Sequence, residues 1–541
     1  MDGPVTLLRQ VRKKVKSVTY GSPIYRLMLD QGEVPDSLQF DIKDPWPGDS
    51  KVGQALIASQ PSLFDGMEEL PSSYKRRFLT HDVLRDLRAV GTDMARRKAA
   101  ALILDWVEAQ EVWDEDGWAA PVLGARLANW IAFYEFYAPQ LPTDFEADLF
   151  ISMARQLRHL IKIAPANLTG TENLLVIKGL IYGGLAVAER EEALGLGLEL
   201  LYRQLETEIY SDGGTVFRQP QRHAEMLRLF IDIREVLKDA KIDVPMDLTL
   251  AISRMVPALK FFRHGDGKLA LFHGGNEDNA LLLDAAITFS RARGHVVKHL
   301  PKTGFERMTA GRSLFLLDVG APPSKPFDRD AHAGLLGFEF SVGRERLIVN
   351  CGAGPEGDEA WHTAMAATAA HSTITLGNMN ACELLPHGGI GGHRPDIECQ
   401  RFEQDGMQVI EASHDAYEAR HKVTFHRMFG LSEDGHTLRG REIISGSVGK
   451  EFTVRWHFPP EVNVLLVQGG GAALIRLASG AGWRLKVYES FANDLALESS
   501  IYCGDGTPRR TLQLRVSGMI RENPTYVDWT LKKEPVKKGK K

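Results

Sequence analysis

The segment YSDGGTVFRQPQRHAEM, from Tyr210 to Met226, sets Arg218 and Arg222 four residues apart with His223 beside them. If the helix entered after the DGG turn has begun by Arg218, the two guanidinium groups share one face. A guanidinium fork matches a carboxylate, so such a pair can neutralise an acidic substrate; the plainer reading is a solvated basic surface. A second segment, DAHAGLLGFEFSVGRERLIVNCG, runs from Asp330 to Gly352 and sets His332 at the start of an expected strand. Gly334 leaves room there for a ligand or another backbone. Phe338 and Phe340 fall on one face of that strand, Glu339 and Ser341 on the other. A third segment, AAHSTITLGN, places His371 just before another strand. If these strands are neighbours, His332, Asn350 and His371 converge. Two imidazoles with an oxygen donor form a candidate zinc set, although a neutral Asn carbonyl offsets less of the ion's charge than a carboxylate does. No organic cofactor is expected.

Two further segments hold clustered polar residues. FRHGDGKLALFHGG, at 262–275, reads as two Gly-containing turns around one short strand, an interdomain hairpin. It is no phosphate loop, because GxxxxGK[ST] is missing. In SHDAYEARHKVTFHR, His414 and Tyr417 are the residues that could reach a site, and the rest read as exposed strand and turn. The sequence has no GxSxG elbow, no HExxH helix and no GxGxxG fingerprint, which removes the most easily recognised hydrolases, zincins and dinucleotide enzymes.

These residues must be positioned by two different kinds of element. Between about 80 and 262 the apolar spacing is helical: Leu123, Leu127, Trp130, Ile131 and Tyr134 follow i, i+4, i+7, i+8, i+11. A helix is expected after a Thr92 cap, and others at about 144–163, 171–188, 192–208, 219–239 and 248–261. Short connections such as YSDGG make these antiparallel hairpins. After 262 come short runs rich in Val, Ile, Leu, Thr and aromatics, among them RLIVNC, STITL, MQVIEAS, FTVRWHF and TLQLRVSG, separated by SEDG, QGGG, SGAG and CGDG. That is the pattern of a large antiparallel β sandwich. Fourteen of the 17 histidines lie in this second part. The expected organisation is an N-terminal extension at 1–79, a helical domain at 80–262, a β-sandwich domain at 263–530 and a basic disordered tail at 531–541, with a cleft between the two large domains for an extended ligand.

Composition bounds the function. With 541 residues, 44% hydrophobic and 25% charged, the chain is an ordinary globular protein. A net charge of −5 and a pI near 6.4 do not attract nucleic acid. No apolar run of about 18 residues predicts a transmembrane helix. The basic start MDGPVTLLRQVRKKVKSV lacks the apolar stretch of a signal peptide, so nothing in it predicts export. The four cysteines, Cys351, Cys382, Cys399 and Cys503, make no CxxC pair and are expected as free buried thiols.

Taken together, DPWPGD at 44–49, HDVLRDLRAVG at 81–91, LGARLANWIAFYEFY at 123–137, AHAGLLGFEFS, RLIVNCG and AHSTITL resemble the heparinase II/III-like family of polysaccharide lyases. The resemblance implies an α+β multidomain fold. An α/α toroid, an incomplete barrel of helical hairpins, is followed by an antiparallel β sandwich. It implies cleavage beside a uronic acid by β-elimination: the carboxylate is neutralised, a Tyr or His base removes the C5 proton, and an acid, often Tyr, protonates the leaving oxygen. It implies an anionic polysaccharide partner and an envelope or periplasmic location, against which the unreadable signal peptide leaves a cytoplasmic one open.

Carried across residue by residue, the resemblance is uneven. The family's His-x-His-x-Asp strand motif falls on Asp330-Ala331-His332-Ala333-Gly334, so its first His is Asp330 and its Asp is Gly334. The family's zinc carboxylate falls on Asn350 and its other zinc His on His371. The pattern Glu-Arg-Ser-Pro-Ser-Tyr-His falls on Phe217 to His223, with Arg222 at the Tyr. An Asn-His substrate pair falls at Glu172 and Asn173. Either the site is rebuilt or the protein no longer cuts. In a rebuilt site His223 or His332 is the base, Arg218 and Arg222 bind the carboxylate, and Tyr210 or Tyr417 is the acid. The alternatives are a non-catalytic member that binds envelope polysaccharide and a metal-assisted hydrolase.

Overall fold

The computed structural model describes residues 14–58, 72–109, 113–164, 167–488 and 495–535. The chain divides into two compact units. One comprises Met1–Glu208, Glu225–Ile252 and Thr288–Ser290; the other comprises Ile209–Ala224, Ser253–Ile287 and Arg291–Lys541.

The first unit is built of helices. Those expected from periodicity run over Asp93–Ala109, Ala120–Ala132, Glu146–Ile163, Gly170–Ala186 and Arg190–Glu208. The Thr92 hydroxyl accepts the Ala95 N–H at 3.3 Å and caps the first of them. Ala120–Ala132 and Gly170–Ala186 pack backbone to backbone: a Cβ on Gly179 would lie 2.4 Å from the Gly124 Cα. Pro23–Leu29, Ser50–Ala58 and Ser72–Leu79 precede these helices. Buried charges tie the unit together. Asp44 pairs with Arg85 at 2.9 Å and Arg88 at 3.0 Å, and Asp232 takes the Lys178 ammonium at 2.6 Å and the Trp46 indole N–H at 2.7 Å. No helix among the described residues is long and apolar enough to cross a membrane.

The second unit holds the sheets. An eight-stranded antiparallel sheet has the order Asn463–Val467, Ala472–Arg476, Gly482–Val487, Thr525–Lys533, Thr437–Gly446, Val423–Ser432, Met407–His414, Ile397–Gln404. A four-stranded sheet runs Leu495–Tyr502, Arg509–Met519, Glu451–His457, Ile374–Leu376, and a five-stranded one ends on Phe338–Val342 and Glu345–Ile348. One apolar core joins them: Phe315, Phe338, Phe429, Trp456, Trp483 and Trp529 are all essentially inaccessible. The toroid-and-sandwich architecture is therefore the one expected.

Several local expectations need correction. The chain at 262–275 forms a single backbone bridge, Arg263 to Leu269, and no strand. Among the described residues three helices, Ala280–Ser290, Glu359–Ala366 and the single turn Glu418–His421, interrupt the region read as strands alone. Residues 531–533 are no tail: Leu531 is fully buried opposite Leu438, which extends the strand to Lys533, while 536–541 lie outside the described residues. Cys399 is an exposed thiol on the strand Ile397–Gln404, while Cys351, Cys382 and Cys503 are free and buried.

A buried ion pair crosses the sandwich core. Arg427 donates from Nε to Glu442 Oε2 at 2.7 Å and from Nη2 to Oε1 at 2.9 Å, and the Trp529 indole N–H also donates to that carboxylate at 3.0 Å. Removing one partner leaves an uncompensated charge in an apolar core, so Glu442→Ala is expected to destabilise this unit by about 3–5 kcal/mol. The pair Glu442→Ala with Arg427→Met should cost less than the sum of the two single changes. Denaturant unfolding of the three variants checks this, and simple additivity would contradict it.

Candidate functional site

Arg218, Arg222 and His223 lie at or just after the turn before the helix Pro220–Asp239. Pro220 opens that helix, because a first-turn position needs no backbone donor. Arg218 therefore lies outside it, with φ +56° and its N–H donated to Thr215 at 3.0 Å. The expected shared helix face for Arg218 and Arg222 does not form.

Arg218 is buried and spends its donors inside the protein. It donates to the carbonyls of Thr303 (2.6 Å), Gly304 (3.1 Å), Gly320 (3.1 Å) and Ala321 (2.9 Å) and pairs with Asp318. His273 completes the knot. Its Nδ1 accepts the His332 N–H at 3.4 Å, so Nε2 carries the proton and donates to Asp318 Oδ2 at 2.9 Å; the Arg218 Nη1 contact to the same Nε2 at 3.0 Å is then no hydrogen bond. Burial pushes the Asp318 carboxyl up, but Arg218 and His273 beside it hold it below the usual carboxylate range. A guanidinium bound in this way is not free to clamp a substrate carboxylate.

Arg222 is in the first helical turn and reaches Asp330 at 2.5 Å, with its guanidinium over the Phe217 ring at 4.7 Å. His362 approaches the other Asp330 oxygen at 3.9 Å. His223 donates from Nε2 to the Met255 carbonyl at 2.9 Å, leaving a buried Nδ1 lone pair with no partner. Burial lowers its pKa to about 4. A base that weak, with its lone pair sealed from solvent, cannot take a proton from carbon.

His332 is not on a strand; it sits in the irregular run before Phe338–Val342. Its ring meets His371, with Nδ1 to Nε2 at 3.1 Å. His371 Nδ1 donates to the Ala367 carbonyl at 2.9 Å, so its Nε2 accepts and His332 Nδ1 donates. Burial and the neighbouring imidazoles hold His332 well below its ordinary pKa, and burial lowers His371 to about 4. Asn350 is committed elsewhere: its Oδ1 accepts the Ser372 N–H at 3.0 Å and its Nδ2 faces Glu339 at 3.4 Å. A Cβ on Gly334 would come within 2.4 Å of the His371 ring, so no carboxylate can stand there. Two imidazoles and an engaged neutral amide do not fit zinc, and no trio of His, Cys, Asp or Glu suited to a metal occurs among the described residues.

The remaining expectations divide. Tyr210 is half-buried and lines an open cavity together with Arg218. Tyr417 does not reach the site: it lies in the sandwich core, its hydroxyl donated to Met379 at 3.1 Å, and burial raises its pKa. His414 stacks edge-on against Phe425 in the same core. Glu172 and Asn173 belong to the helical unit. Glu172 pairs with Arg76 at 2.5 Å, and Asn173 donates to Gln204 at 2.9 Å. Asp318, Lys302 and Arg394 were not singled out from sequence; no motif surrounds them, and only His273, inside 262–275, carried a local signal.

Residues 292–530 match the family described as heparinase II/III-like, C-terminal. The fold recurs in a heparinase III crystal structure, with a TM-score of 0.70 at 10% identity, covering 96% of this chain and 84% of that one. It recurs in a second heparinase III gene product (TM-score 0.64, 14% identity, 99% and 92% covered). Heparan sulfate lyase HepC from Pedobacter heparinus also has it (TM-score 0.60, 14% identity, 98% and 91% covered). The C-terminal part of the chain thus matches the heparinase II/III-like model, and its fold is that of the heparinase III structures. FtsZ-localized protein C of Caulobacter vibrioides is 29% identical over 546 residues, which is 95% of this chain and 93% of that protein. Two of the residues at which the expected lyase motifs are not matched, Arg222 and Asp330, are paired with each other.

The neutral histidines predict a pH response. His223, His371 and His414 each have a pKa near 4, lowered by burial, against about 6.5 in an unfolded chain. As pH falls from about 6.5 towards 4, the unfolded state takes up protons that the folded state refuses, so stability falls through that window. Urea unfolding between pH 7 and pH 4.5 should show the midpoint dropping, and His414→Gln should flatten the slope; a midpoint independent of pH would contradict it.

Proposed function

We propose that this chain is a non-catalytic member of the heparinase II/III-like family that binds an anionic glycan group and works alongside FtsZ. The Arg222–Asp330 ion pair carries the first part of the reading. β-Elimination needs a base with a pKa near the working pH and a cation free to neutralise the carboxylate. At the matched positions stand a guanidinium and a carboxylate that bind one another. Arg218 is consumed by carbonyls and Asp318, and His223 and His332 are neutral and weakly basic. Losing a general acid or base costs about 10²–10⁴-fold each, and both are replaced here.

The likeness to FtsZ-localized protein C over nearly the whole of both chains supports the second part. That name supports a location with FtsZ, and it leaves the envelope and the cytoplasm both open. The lyase reading requires the rebuilt site, with Tyr210 as acid and His332 as base. Only Tyr210 retains an available hydroxyl.

Two measurements test the reading. Heparan, chondroitin, alginate and envelope polysaccharides incubated with the protein should give no ultraviolet absorbance from a 4,5-unsaturated uronate, while at least one of them is retained by the immobilised protein. An absorbance rise that disappears in His332→Ala would restore the lyase. Separately, the purified chain should pellet with FtsZ filaments of its own host, and its remaining in the supernatant would overturn the division assignment.

A further inference from the structure

Beside the Arg218 knot, within the second unit, lies an open cavity of about 230 Å³ whose lining includes Tyr210, Arg218, Lys302, Gly304, Gly320 and Arg394. No aspartate or glutamate lines it. The floor is paved by glycine for a steric reason: a Cβ on Gly320 would stand 2.5 Å from Arg218 Nη2, and one on Gly304 would stand 2.5 Å from the Gly320 Cα. Any larger residue would push the guanidinium away or fill the hollow.

The rim carries charge that nothing inside the protein cancels. Lys302 and Arg394 are exposed, and neither ammonium nor guanidinium pairs with a carboxylate among the described residues; Arg394 donates only to the Pro322 carbonyl. The Tyr210 hydroxyl also has no partner among them. The two nearest carboxylates are occupied. Asp212 takes the N–H groups of Lys302 and Thr303, both at 2.8 Å, and the Thr303 hydroxyl at 2.8 Å. Asp318 is held by Arg218 and His273. The cavity therefore presents two unneutralised cations and a phenol above a floor whose own charges are balanced. Its volume falls below the roughly 300–1,000 Å³ of sites that enclose a whole organic ligand, so it suits one charged group.

We propose that this cavity is a binding subsite for a single oxyanion, a carboxylate or a phosphate group, held by Lys302, Arg394 and the Tyr210 hydroxyl. Where the anion is carried by a sugar, the subsite rests on the glycan-binding reading above; where it is phosphate, it stands without it. Arg218 is a positioning residue in this arrangement, because it shapes the floor and makes no free donor.

Calorimetric titration of the full chain at low salt with sodium glucuronate, inorganic phosphate and glucose tests it. Glucuronate or phosphate should bind with a Kd of about a millimolar, and glucose at least about tenfold more weakly, since two charge-assisted contacts at a solvent-exposed rim account for roughly that ratio. Tighter glucuronate than phosphate identifies a sugar acid as the source, and the reverse identifies a phosphate group. Lys302→Gln with Arg394→Gln should weaken the anion about tenfold at an unchanged melting temperature, because both side chains are exposed. Equal affinity for glucose, no saturable heat with either anion, or binding unaltered by the double substitution would overturn the subsite. Retention of a uronate polysaccharide by the double variant as strongly as by the native chain would overturn the subsite and leave the glycan reading standing. No polysaccharide retention alongside phosphate binding would do the opposite.

Discussion

The sandwich is organised around one buried guanidinium. Arg427 sits on the strand Val423–Ser432, fully inaccessible, between the faces of Phe338 and Phe429. Glu442 cancels its charge from the neighbouring strand, and Trp529 completes the carboxylate's hydrogen bonds. Its remaining nitrogen donates to the Leu336 carbonyl at 2.6 Å and to the Ser372 carbonyl at 3.1 Å. Those two carbonyls belong to the irregular runs that bear His332 and His371. An unpaired charge is not tolerated at such depth, so the pair has to form, and once formed it fixes both runs against the sheet. The two imidazoles borne by these runs meet at 3.1 Å.

A second constraint shapes the region around the matched lyase positions. Several of its polar groups have internal partners. Arg218 faces carbonyls and a carboxylate, His273 bridges Asp318 and the His332 amide, Asn350 serves Ser372 and Glu339, and Arg222 takes Asp330. At the positions where the resemblance leads one to expect a phenol and an imidazole, the chain has a cation and an anion, Arg222 and Asp330, that pair. Either change alone would leave a half-buried charge without a counter-ion; the two together form a neutral pair. A catalytic centre requires groups that change partners during reaction, and groups satisfied in the resting protein hold their neighbours still.

The histidines express the same economy. His223, His371 and His457 are deep enough for burial to dominate, so they remain neutral and serve as oriented donors and acceptors. His457 bridges the Ser500 hydroxyl at 2.8 Å and the Ala369 carbonyl at 3.0 Å, holding the chain just ahead of His371. Cationic character is left to the rim, on Lys302 and Arg394, where water and a ligand can both reach it.

What the sequence determined by itself was local. The spacing of Leu123, Leu127, Trp130 and Ile131 specifies a buried helical stripe, the Thr92 hydroxyl marks a helix start, and alternation in Val423–Ser432 specifies a strand with one face inward; each signal repeats within a few residues, at the period of the backbone that produces it. The family pattern named His332 and His371 as partners only if their strands were neighbours, and folding brings them together across 39 positions. Tertiary structure decided the rest. The i, i+4 spacing puts Arg218 and Arg222 on one face only if the helix has begun by Arg218, but Pro220 starts the helix after it and Asp318, a hundred residues on, takes its charge. Tyr417 looked like an acid and is a core residue, because the pairing of Met407–His414 with Val423–Ser432 turns it inward. Arg427 carried no signal as a lone charge in an apolar strand; its meaning depends on Glu442, Leu336 and Ser372 arriving together. Periodicity records which way a side chain points from its own element. Whether a charge there is free or spent depends on partners brought from elsewhere in the chain, and only folding brings them.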